Sequence, residues 1–154
     1  MTFTVAQLDH VELFVPDRHA APAWYAEVLG LVPPPGADKW AAAPGGPLMI
    51  SPDGGQTKLA LFQGEPQGSR PTAGFHRVAF RVSGSDFLAF LGRAEQLGLK
   101  EGQRPLRVVD HQTAFSSYFA DPYGHHLEVT TYDHDVVREA RREPTGRPPG
   151  GAVA

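Results

Sequence analysis

The stretch Tyr118–Tyr132, YFADPYGHHLEVTTY, decides how the rest of the chain is read. Tyr118 and Phe119 end one β run. Asp121-Pro122-Tyr123-Gly124 is turn chemistry, with proline presetting φ and glycine accepting positive φ. His126, Glu128, Thr130 and Tyr132 then alternate with Leu127, Val129 and Thr131. A strand with that alternation puts Glu128 on the face opposite Leu127 and Val129. A carboxylate in mid-strand, flanked by core residues, needs a partner, because unpaired burial of its charge is expensive. It is a rim carboxylate in water, the partner of an arginine, or a metal ligand or catalytic group.

Working outward, the 154 residues suffice for one domain, or for two small halves sharing a core. A chain of that size buries roughly 68–70% of its unfolded surface and needs no staples. With no cysteine, disulfides, thiolate metal sites and a cysteine nucleophile are excluded. A formal charge of −3 shows no basic excess and argues against nucleic acid as a partner. The N-terminal MTFTVAQLDHVELF lacks a cationic region followed by an apolar run, so no signal peptide is expected. No run approaches the ~20 apolar residues of a membrane span. The expectation is a soluble cytoplasmic protein with neither membrane nor nucleic-acid partners.

From the N-terminus, Leu8–Val15 alternates as a half-buried strand, with Val11, Leu13 and Val15 on one face and His10, Glu12 and Phe14 on the other. Asp17 can cap the helix that follows to Leu29, Pro22 is tolerable only near its first turn, and Gly30 suits its C-terminus. Trp40–Ala43, Leu48–Ser51 and Lys58–Gln63 read as three short strands, separated by turns at Pro44-Gly45-Gly46-Pro47 and Asp53-Gly54-Gly55. Residues 64–74 read as a Gly- and Pro-rich linker.

The pattern then begins again. Phe75–Val82 reads as a strand. A helix over Asp86–Leu97 follows, capped from Ser83–Ser85 and stopped by Gly98. Leu106–His111, Phe115–Ala120 and His125–Tyr132 read as strands, Val136–Glu143 as a short charged helix, and residues 144–154 as a disordered tail. VELFV at 11–15 recurs as VAFRV at 78–82, and LGL at 29–31 recurs at 97–99. An internal duplication explains both. The predicted fold is α+β: two βαβββ modules in tandem, at about 6–64 and 75–133, whose curled mixed sheets form a cup within one domain over 1–135.

LDHVELFVPD, the helix end WYAEVLGL, VAFRV and YFADPYGHHLEV together resemble the vicinal oxygen chelate superfamily across about residues 6–133. Its members include glyoxalase I, extradiol dioxygenases, fosfomycin-modifying thiol transferases and bleomycin-resistance proteins. These motifs are specific for the fold and poor guides to the reaction. The resemblance implies a divalent metal in the cup, held by a histidine on the first strand and a glutamate on the last; His10 and Glu128 occupy those places. Two histidines and a carboxylate suit Fe(II) or Mn(II), and Zn(II) accepts them as well.

The second histidine departs from the family's pattern. The register that puts His10 before Val11 puts Arg77, not His76, before Val78. His76 then ligates only if the strand is bulged or slipped by one residue. Arginine stays protonated and cannot ligate. Arg77 is the alternative partner of Glu128, leaving a metal-free cup that binds an anion or an aromatic. On the Lys58–Gln63 strand, the place of glyoxalase I's extra carboxylate falls on Ala60, which makes a glyoxalase reaction unfavourable. Glu12 stands where the fosfomycin enzymes resemble one another in carrying threonine, which counts against that activity.

Ring-cleaving dioxygenases and the fosfomycin enzymes both resemble this chain in carrying a tyrosine at the place of Tyr118, whose phenol is the expected catalytic hydrogen-bond donor. His111 is the candidate acid–base, since an imidazole titrates near neutrality. Arg77, Phe14 and Trp40 are the expected substrate contacts. His126 shares the parity of Glu128 and is its candidate supporting partner. His125, His19 and His134 are assigned to the surface, and Trp24 and Tyr25 to the core.

Two functions follow. One is a metal-dependent enzyme on His10, His76 and Glu128, most like the extradiol dioxygenase branch, acting on a small aromatic or vicinal-oxygen substrate. The other is a metal-free small-molecule-binding protein of the bleomycin-resistance kind. In either case the resemblance implies a homodimer, since members of the superfamily often dimerise, and a half-exposed sheet edge would allow it.

Overall fold

The computed structural model of the chain describes residues 6–65 and 76–142. Two compact units divide it, Met1–Phe75 and His76–Ala154, and the division falls at the end of the Gly- and Pro-rich stretch. The predicted tail at 144–154, and Phe75 at the start of a predicted strand, lie outside the described residues.

In the first unit, β1 (His10–Val15) pairs in parallel with β3 (Lys58–Gln63), and β2 (Leu48–Ile50) pairs antiparallel with β3, giving the order β1-β3-β2. Register pairs such as Leu13↔Leu61 and Ile50↔Leu59 gather the apolar residues of all three strands on one face. Leu13, Val15, Leu59, Leu61 and Ile50 are buried there, and so are Ala21, Tyr25 and Val28 of α1 (Ala21–Leu29). Pro22 stands in the first turn of α1, where a missing N–H costs nothing. Asp17 Oδ1 accepts from His19 N and Ala20 N in the turn that feeds the helix. Gly30, at φ +68°, turns its N–H onto Ala26 O and closes it.

One predicted element is wrong in kind. Trp40–Ala43 is not a strand: Asp38–Ala41 forms a single helical turn, α2, lying against β2. The segment carries no β-branched residue, and alanine prefers a helical backbone. Among its described residues the first unit therefore has three strands where four were predicted.

In the second unit, β4 (Val78–Arg81), β7 (Arg107–Asp110), β8 (Phe115–Ala120) and β9 (His126–Thr131) form one sheet in the order β4-β9-β8-β7. The β4–β9 pair is parallel and the others antiparallel, so the sheet is mixed. A two-residue hairpin, β5 (Lys100–Glu101) with β6 (Arg104–Pro105), was not foreseen and lies against β8. Leu127, Val129 and Thr131 of β9 and Phe115, Ser117 and Phe119 of β8 are register partners and are buried on one face. α3 (Gly84–Gln96) covers that face, with Phe87 fully buried and the Phe90 ring 5.4 Å from Phe119. Ser83 Oγ accepts from Asp86 N and caps α3. α4 (His134–Arg142) packs beside α3, and its Asp133 neighbour accepts from Gly84 N at 2.7 Å.

Candidate functional site

The opposite face of the second sheet carries a cluster of charged and aromatic side chains. Register places Arg107 beside Tyr118, Tyr118 beside Glu128, and Glu128 beside Ala79, one row across four strands. Ala79 fills little of the row's end, and Arg77, two residues earlier on the same side, reaches over β9 into the space. Its guanidinium carbon is 4.1 Å from the Tyr118 ring centroid. Its Nη1 is 4.0 Å from Glu128 Oε2, and its Nη2 donates to Glu101 Oε1 at 3.3 Å. Arg107 Nε is 3.6 Å from Glu101 Oε2, and its guanidinium carbon is 6.0 Å from the Tyr118 centroid. Tyr118 is buried, yet its hydroxyl shares a 2.7 Å hydrogen bond with Nε2 of exposed His111. Arg77 Nε is buried without a hydrogen-bond partner, a deficit of about 1–3 kcal/mol that its neighbours must offset.

The β4–β9 register is regular, so no slip brings His76 to the place of Arg77. His76 precedes β4, is exposed, and stacks its ring on His126 at 6.1 Å between centroids. Of the three carboxylate readings, the arginine-paired one describes Glu128. A divalent ion there would share the carboxylate with a fixed guanidinium, which repels it and offers no lone pair. The residues of this unit do not fit a metal. Within each unit, among the described residues, no group of three His, Asp or Glu side chains is arranged to hold one.

Sequence reasoning missed Glu101 and Arg107. The Arg107–Tyr118 pairing was within reach, by counting back along the hairpin from Asp110↔Phe115. Glu101 sits on the unforeseen hairpin and gave no signal. Two surface assignments are corrected. His125 is half-buried, with Nδ1 2.7 Å from Asp121 Oδ2. His134 stacks on Phe115 at 4.6 Å and meets Asp110 Oδ1 at 2.8 Å. That bond, and the Gln112 backbone N–H, hold the Asp110 carboxyl below its ordinary range.

In the first unit, His10 lies on the sheet face opposite the core, with Nδ1 2.7 Å from Asp9 Oδ2 and Nε2 3.4 Å from Glu12 Oε1. The His10 bond, with Lys58 second, lowers the Asp9 carboxyl. Ala60, the register partner of Glu12 and Met49, is fully buried. A cavity of about 540 Å³ opens on this face, lined by His10, Glu12, Trp40, Met49, Lys58 and Phe62 among others. Trp40 is among its lining residues. Phe14 is the register partner of Phe62, and the two rings lie 6.1 Å apart.

The sequence profile of one family matches residues 7–129. The chain belongs to the Glyoxalase/Bleomycin resistance protein/Dioxygenase superfamily. No curated protein sequence matches the chain. Among solved structures of the superfamily's fold, Oxidase ChaP-H1 is 27% identical, covering 96% of this chain and 100% of its own at a TM-score of 0.59. The FosX fosfomycin resistance protein of Listeria monocytogenes, solved with Mn(II), is 16% identical, with 86% and 97% covered and a TM-score of 0.63. A lactoylglutathione lyase from Agrobacterium tumefaciens is 20% identical, with 84% and 96% covered and a TM-score of 0.56. The superfamily's α+β architecture with mixed sheets is thus shared by proteins of differing activity. Among the described residues no helix is long and apolar enough to cross a membrane.

Proposed function

We propose that this chain binds a small aromatic compound bearing an acidic oxygen, on the Arg77 face of the second unit, without a divalent ion. The observation that carries this reading is the Arg77 guanidinium beside Glu128 and over Tyr118. Arg77 supplies there the positive charge that a metal supplies to other members. Its own charge is met by Glu101 and Glu128, so it organises the face. Arg107 and His111 are exposed and flank Tyr118. They are the N–H groups that meet a ligand's oxygen, while the Arg107 plane is suited to an aromatic ring.

A second reading rests on the 27% identity with Oxidase ChaP-H1 over nearly the whole of both chains. It is a divalent-metal enzyme of the dioxygenase kind, with Fe(II) or Mn(II), or Zn(II), on His10, His76 and Glu128, and with Tyr118 and His111 moving protons. The homodimer expected from the sequence belongs to both readings and is read by sedimentation.

Elemental analysis separates them. Tag-free protein from cells grown with iron, manganese and zinc is compared with Glu128→Ala and Arg77→His. The first reading expects wild type to hold far less than stoichiometric metal, and phenolic anions to raise its Tm in a manner lost on Arg107→Ala. Stoichiometric metal in wild type, lost in Glu128→Ala, overturns it in favour of the second.

A further inference from the structure

The cavity of the first unit has its own polarity. Its volume, about 540 Å³, lies within the range of small-molecule sites. Trp40, Pro34, Met49 and Phe62 make an apolar wall. Trp40 is 58% exposed at the rim, an unusual place for the largest apolar side chain unless something covers it.

The charged groups are not balanced. Two carboxylates, Asp9 and Glu12, line it with one ammonium, Lys58, and with the His10 imidazole, 2.7 Å from Asp9 and 3.4 Å from Glu12. Lys58 Nζ is already committed to Asp9 Oδ1 at 2.9 Å and Gly55 O at 3.0 Å. Glu12 has, among the described residues, only His10 Nε2 at 3.4 Å, beyond the range of a good hydrogen bond, and its side chain is 60% exposed. The cavity therefore presents one carboxylate held only by a long contact to His10, and one exposed indole. A carboxylate attracts a cation, and tryptophan is the best aromatic partner for one.

The geometry points to a flat aromatic cation as the occupant of this cavity, seated against Trp40 with its charge toward Glu12. An anion would meet Glu12 unfavourably, and the ammonium that would welcome it is already taken. This site stands on residues of the first unit alone and does not depend on the Arg77 face.

Calorimetric titration with N-methylquinolinium, neutral quinoline at mildly alkaline pH and naphthalene-2-sulfonate tests it. The cation is expected to bind roughly tenfold tighter than the neutral isostere, with the anion weakest. Glu12→Gln should bring cation and neutral compound to similar affinity, and Trp40→Ala should weaken the cation several-fold. Both side chains are exposed, and matched thermal melts confirm that the variants fold. Metal content and phenolate stabilisation, which test the Arg77 face, are read separately from this titration, so failure here is distinct from failure on the other unit. Equal binding of cation and neutral compound, preference for the anion, or indifference to both variants overturns the assignment.

Discussion

The Arg77 guanidinium carbon lies 4.1 Å from the centroid of the Tyr118 ring. Nothing local to either residue requires this. Arg77 precedes β4, Tyr118 stands on β8, and β9 runs between them. The contact exists because Ala79 leaves space and because Glu128 and Glu101 compensate the arginine's charge. It places a fixed cation at the register position where a histidine was expected from the sequence.

Arg77→Ala removes the stacking and strands two partly buried carboxylates, while also removing an unsatisfied Nε. The expected loss is about 1–3 kcal/mol, read by urea unfolding. A double-mutant cycle with Glu128→Gln should give a coupling of about 0.5–1 kcal/mol, modest because the pair is 4.0 Å apart and partly solvated. A coupling of zero would place Glu128 in water instead.

Tyr118→Phe keeps the ring under Arg77 and deletes the 2.7 Å bond to His111. The expected cost is about 1 kcal/mol, with the cation–ring contact preserved. Tyr118→Leu should cost more, since it loses ring and hydroxyl together. Equal losses would mean that the ring contributes nothing to Arg77.

Two glycines of α3 should respond in opposite directions. A Cβ at Gly84 would lie 2.9 Å from Asp133 Cβ and 3.0 Å from Val136 Cβ, atoms that cannot swing aside. Gly84→Ala is expected to destabilise by about 1–3 kcal/mol. A Cβ at Gly92 meets nothing within 4 Å, so Gly92→Ala should stabilise by about 0.5–1 kcal/mol through helix propensity. Thermal melts of the two variants decide it.

Asp53 provides a pH-dependent contribution. Thr57, first through its backbone N–H and then its hydroxyl, lowers the carboxyl to about 2, with Ser51 adding less. A carboxyl depressed in the folded state stabilises above its ordinary value and loses that contribution as the pH falls through the folded one. The Tm deficit of Asp53→Asn should therefore be full at neutral pH and shrink between about pH 4 and pH 2. A deficit independent of pH would show that charge plays no part in this turn.

Much of the fold was legible. β3 and β8 have the bounds that alternation predicts, and α1 starts and stops where Pro22 and Gly30 indicate. Local chemistry settles these places. Trp40–Ala43 was misread because turns on both sides and a large aromatic suggest a strand, while the alanines favour a helical turn. His125 and His134 were misread because each is partly covered by a carboxylate or ring that the sequence does not mark as its neighbour.

The candidate site divides the same way. Alternation alone put Glu128 opposite Leu127 and Val129, and the repeat put Arg77 at the counterpart of His10, where the resemblance implied a histidine. The sequence by itself thus determined most of the elements, the internal repeat, the resemblance to the superfamily and three residues of the polar face, Arg77, Tyr118 and Glu128. Only the tertiary structure decided that Arg77 and not a solvent shell meets Glu128, that Glu101 and Arg107 join them, and that Trp40 stands over a cavity with Glu12. Periodicity is set by neighbours along the chain, within a turn or a pleat. The partner of a charge is set by which distant groups share its low-dielectric surroundings, and that exists only after the sheet has formed.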